Sequence, residues 1–140
     1  MRGGKQKCPY GTKDEQQTVN LWKTACRILN SEYDNDYRCE WHVIQSYGTC
    51  NMWVWKDGET SKEEDKHLDV YWENWNRAIL GVSGSYTISE YRKGKWVQIS
   101  KENVGYRSFD LSDYIGSSQQ KFGEVIAESV DESYREFFYE

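Results

Sequence analysis

The sequence predicts an α+β fold: a mainly antiparallel sheet of four to five strands carrying three helices, in the order α-β-β-α-β-β-(β)-α. Three observations lead there. Apolar residues alternate with polar ones between Tyr37 and Val43, the period of a half-buried strand, Cys50 to Trp55 is apolar on both faces as in a central strand, and Tyr86 to Tyr91 and Lys95 to Ser100 are rich in β-favouring residues. Two further stretches, behind Thr12 and behind Ser117, space their apolar residues at three and four, the period of a helix packed on one side. The strands are separated by turn-length segments, which favours antiparallel neighbours over parallel crossovers.

Residues 1–11, with Gly3, Gly4, Pro9 and Gly11 among lysines, read as a flexible arm, leaving 12–140 as a single domain. Thr12 and Glu15 form a capping box ahead of Val19, Trp22, Cys26 and Leu29, so the first helix is expected over about 13–30. Asn30 to Asp36 is polar and turn-rich. Tyr37, Cys39, Trp41 and Val43 then face one side of a strand, and Cys50 to Trp55 forms its partner around a turn at Tyr47-Gly48. Met52 and Val54 share one face of that partner, Trp53 and Trp55 the other. Thr60 with Glu63, or Ser61 with Glu64, resembles a second capping box, and Leu68, Tyr71, Trp72, Trp75, Ala78 and Ile79 read as a helical stripe closed by Gly81. Tyr86 to Tyr91 and Lys95 to Ser100 flank Arg92-Lys93-Gly94 as a hairpin, and Tyr106 to Leu111 is a weaker fifth strand. The last helix carries Phe122, Val125, Ile126, Val130, Tyr134 and Phe137.

The 140 residues suffice for one core, and an aromatic content of 16% makes large rings its main material. Charged residues at 29% and a mean hydropathy of -0.95 exclude a helical membrane protein. With no apolar segment behind Met1-Arg2, a cytoplasmic location is expected, with Cys8, Cys26, Cys39 and Cys50 as free thiols. In the expected hairpin Cys39 faces Lys56 and Cys50 faces Gln45, so these two are not cross-strand partners. The net charge of -5 is unevenly spread: residues 1–27 are basic, whereas from Phe109 onward eight acids face Lys121 and Arg135.

Catalytic and metal signatures are sparse, and no cofactor is implied. Cys39 and His42 have the spacing of a metal half-site, but residues three apart on a strand face opposite sides. His67 follows Glu63 by four residues, which on a helix lets carboxylate and imidazole meet. No nucleophile elbow or phosphate-binding glycine loop accompanies them. Trp53 and Trp55 suit stacking on bases or sugars if their face is open, and core packing if a helix covers it.

The order of elements resembles that of the translation initiation factors that bind the messenger RNA cap. The matching features are Thr18-Val19 and Trp22, Gly48 ahead of Trp53, Leu68-Asp69 with Trp72, Ile79-Leu80-Gly81, and Lys93-Gly94-Lys95. The resemblance implies a methylated base stacked between two tryptophans, with a glutamate on its edge and basic residues on its phosphates. Trp41 falls near one stacking position, but His42 follows it in place of glutamate and no tryptophan precedes the first helix.

The leading expectation is a non-enzymatic acidic domain of inhibitor or immunity type that binds the basic surface of a nucleic-acid-handling protein partner. Its surface would be the last helix, with Glu124, Glu128, Asp131, Glu132 and Glu136 as the charges and Tyr134, Phe138 and Tyr139 as the anchors. The alternative is a nucleotide or capped-RNA binder using Trp41, Arg92, Lys93, Lys95 and Trp96.

Overall fold

The computed structural model describes residues 11–44 and 49–139. Five antiparallel strands follow one another in chain order across one sheet: β1 (Tyr37–Ile44), β2 (Thr49–Lys56), β3 (Glu64–Asn74), β4 (Ile79–Arg92) and β5 (Lys95–Asp110). Two α-helices, α1 (Gly11–Ile28) and α2 (Gln119–Tyr139), cover one face. The expected flexible arm over 1–11 lies outside the described residues except for Gly11, which opens α1. The expected hairpin turn at Tyr47-Gly48 lies outside them as well.

The class is as expected, but the second predicted helix is strand β3. Its residues satisfy two periods at once. Leu68, Tyr71, Trp72 and Trp75 fit a helix, whereas Leu68, Val70 and Trp72 alternate with Asp69, Tyr71 and Glu73 as on a strand. Tertiary pairing decides: β3 lies between β2 and β4, with Leu68 and Val70 fully buried against the helices. The capping chemistry at Ser61 is real, for its hydroxyl accepts from the Glu63 and Glu64 amides at 3.2 and 3.1 Å, but the turn it closes leads into a strand. Gly81 is no helix cap. It sits within β4, where a Cβ would strike the Tyr71 ring.

The hairpin register also differs. Cys39 pairs with Val54 and Cys50 with Val43, so the two cysteines remain apart. Cys26 and Cys39 are not free thiols; they form a disulfide that ties the last turns of α1 to β1, while Cys50 is buried in the core. Beyond Ile28, a π-helical turn over Leu29–Tyr33 bends the chain toward β1. The β4–β5 hairpin extends well past both predicted strands and closes on Lys93 and Gly94, whose positive φ angles (49° and 82°) suit a tight two-residue turn.

The core lies between helices and sheet. Trp22 of α1 is fully buried, stacks on Trp72 at 5.7 Å, and donates its indole N–H to the Cys50 carbonyl at 3.0 Å. Helix α2 begins behind Ser118, whose hydroxyl accepts from the Lys121 amide, one residue later than the sequence suggests. Its Gly123 lets Thr24 of α1 approach closely, and Phe137 lies against Gly84 and Gly105, where any side chain would collide with the ring. Among the described residues no helix lies over the other face of the sheet.

Candidate functional site

The helix side contains a closed polar cluster. Lys56 leaves β2 into the space between sheet and α2, where the rings of Tyr37, Tyr134 and Tyr139 surround its ammonium at 4.7 to 5.0 Å. The ammonium donates to Tyr139 Oη at 2.9 Å and pairs with Asp34 at 2.9 Å. Desolvation acts to lower its pKa, but the Tyr139 and Asp34 bonds outweigh it and the pKa rises. Tyr134 and Tyr139 both donate to Glu59, at 2.8 and 2.5 Å, and Tyr37 donates to Asp131 at 2.9 Å. Burial, reinforced by these carboxylates, pushes the Tyr37 and Tyr134 hydroxyls far above the ordinary tyrosine range.

This cluster absorbs several expected partner-binding residues. Tyr134 is fully buried and Asp131 nearly so, Phe138 packs half-buried on the Tyr134 ring, and Tyr139 is anchored by Glu59 and Lys56. Glu132 and Glu136 both pair with Arg107 of β5, at 3.1 and 3.5 Å. Glu124, which accepts from Gln120, and the exposed Glu128 are left on the outer side of α2.

The charges of these two acids act on an aromatic ring that the sequence left in a turn. Tyr33, the last residue of the π-helical turn, is 43% exposed. Its hydroxyl pKa is raised, first by partial burial and then by the charges of Glu128, Asp131, Glu32 and Glu124. These carboxylates oppose ionisation of the ring, although Asp131 is itself paired with Arg135 at 3.2 Å. Only folding brings Glu32 and Tyr33 beside α2, although a tyrosine next to an acid in a polar stretch is the signal that marks the pair.

The alternative set is not brought together. Trp41 faces the helix side of edge strand β1, with Lys23 of α1 over its ring at 5.7 Å. It is level, through Met52 and Val70, with Val82 of β4. Arg92 lies ten residues further along β4, roughly 33 Å at the rise of a strand. At that tip Arg92 pairs with Glu90 at 2.6 Å, Lys93 and Lys95 are exposed, and Trp96 packs edge-on against Tyr91.

His67 does not pair with Glu63. On β3 four residues span roughly 13 Å, and the imidazole Nδ1 instead bonds Asp65 Oδ2 at 3.0 Å, with the Trp53 ring 5.7 Å away. These groups line a groove of about 480 Å³ on the open face, together with Glu40, Trp55, Thr60, Thr87, Gln98 and Lys101. Among the described residues no cluster of three His, Cys, Asp or Glu side chains could hold a metal ion. No helix among them is long and apolar enough to cross a membrane. No protein family, curated protein or solved structure matches the chain.

Proposed function

We propose that this chain is a non-enzymatic acidic interaction domain of inhibitory type, whose partner is a protein with a basic surface. The observation that carries the reading is the exposed Tyr33 ring set among Glu32, Glu124 and Glu128, with Asp131 behind them. An aromatic ring at the centre of an acidic rim suits an arginine-rich surface: guanidinium groups stack on the ring and pair with carboxylates, and the field of the rim speeds encounter. The neighbouring acids Glu132 and Glu136 already hold Arg107, so they contribute less to a partner.

A fluorescently labelled nona-arginine peptide, followed by anisotropy, tests the proposal. Tyr33→Ala and the double charge reversal Glu124→Lys/Glu128→Lys are each expected to weaken binding at least tenfold. Glu90→Lys on the distant hairpin should leave it unchanged. Equal affinity in all these variants overturns the assignment.

A further inference from the structure

The open face of the sheet carries a second surface, independent of the acidic helix side. We infer that the groove beneath Trp53 and Trp55 is a binding site for a neutral saccharide chain.

The shape follows from the register. Along β4 the residues on this face are small, with Ser83 opposite Asp69, Ser85 opposite His67 and Thr87 opposite Asp65. They form a low floor. Taller groups rise on either side, Trp53 and Trp55 of β2 with His67 of β3 on one, and Gln98 and Lys101 of β5 on the other. Trp53 and Trp55 stand two residues apart on one strand, so their rings occupy the same face about 7 Å apart along it. Trp53 is 39% exposed although it belongs to a central strand, and Trp55 is half-buried. The conditional reading of the sequence, stacking if the face is open, thus has its condition met.

The chemistry of the lining narrows the ligand. Glu40 and Asp65 are acceptors. Gln98, Lys101 and the Thr87 hydroxyl supply donors, so both sides of a hydroxyl group find partners. A pyranose ring has an apolar face of C–H groups that packs on indole and a rim of hydroxyls for such a polar wall. A polyanion would meet Glu40 and Asp65, whereas a hydrocarbon would strip water from the polar groups without replacing their hydrogen bonds. The rings are also held in place before any ligand arrives. Trp55 Nε1 donates to Asp57 at 3.1 Å, Asp57 in turn pairs with Arg38 at 3.0 Å, and Asp65 fixes the imidazole beside Trp53. Such preorganisation lowers the ordering cost of binding.

The test is an NMR titration of the full chain, read at the tryptophan indole N–H resonances, with neutral hexasaccharides of glucose, N-acetylglucosamine and mannose. At least one is expected to give saturable shifts at Trp53 and Trp55. For that sugar, Trp53→Ala and Asp65→Asn should each weaken binding at least tenfold, while Trp96→Ala on the hairpin tip leaves it unchanged. No saturable shift with any of the three at millimolar concentration overturns the inference. Shifts that survive Trp53→Ala overturn it too.

Discussion

Two regions of this molecule are built from the same materials and end in opposite states. On the helix side Lys56 lies among three tyrosine rings, with Asp34, Glu59 and Asp131 each accepting a bond from inside the cluster. On the open side Trp53 and Trp55 stand beside Glu40, Asp65 and His67 with their rings partly in water. Aromatic and charged residues together therefore say little until the covering layer is known. Beneath α2 they form a satisfied interior network, and on the bare face of the sheet they form a groove.

Substitutions that truncate each region should separate them most clearly. Tyr134→Ala removes a fully buried ring and leaves Glu59 and Lys56 short of a partner, and is expected to cost about 3–5 kcal/mol in chemical denaturation. Trp53→Ala, at a half-exposed ring, is expected to cost less than about 1 kcal/mol. Equal losses would break the distinction between interior and surface.

Reduction gives the next effect. The Cys26–Cys39 bridge closes a loop with a sequence separation of 13, for which the loop-entropy account predicts about 3 kcal/mol. Denaturation midpoints with and without reductant measure it, and Cys26→Ser/Cys39→Ser should reproduce the reduced value.

The tyrosine cluster also sets a limit at high pH. In the unfolded chain Tyr37 and Tyr134 ionise near pH 10.0, but in the folded chain burial and the neighbouring carboxylates keep them protonated well beyond that. Their contribution is complete below pH 10 and is lost as the pH rises above it, by about 1.4 kcal/mol per pH unit for each tyrosine. Stability measured between pH 9 and 11 should bend downward, and Tyr37→Phe should reduce the slope by up to about 1.4 kcal/mol per pH unit.

Much of this architecture was legible in the sequence. The first strand alternates cleanly, the second and the hairpin around Lys93-Gly94 are marked by β-favouring residues beside turns, and the long last helix carries a helical stripe. β3 was not legible, because Leu68 and Trp72 serve both periods and the Ser61 turn resembles a helix start; only pairing with β2 and β4 separates the two readings. The disulfide was hidden for a different reason, since no local spacing relates a cysteine on α1 to one on β1. The site was less legible than the fold. Helical periodicity placed Tyr134 on the apolar stripe of α2, yet its hydroxyl suggested an anchor at the surface; the carboxylate that satisfies it, Glu59, comes from a distant turn. Tyr33 escaped notice because nothing in a polar turn shows which helix it will lie beside.

The acidic residues around Tyr33 are the proposed docking surface, and an amide and side-chain NMR map of nona-arginine binding tests that most directly. The predicted result is a set of shifts centred on Glu32, Tyr33, Glu124 and Glu128 that fades as salt is raised, with Trp53 and Trp55 unmoved. Shifts centred on the open face of the sheet, or scattered over all acidic residues alike, would contradict it.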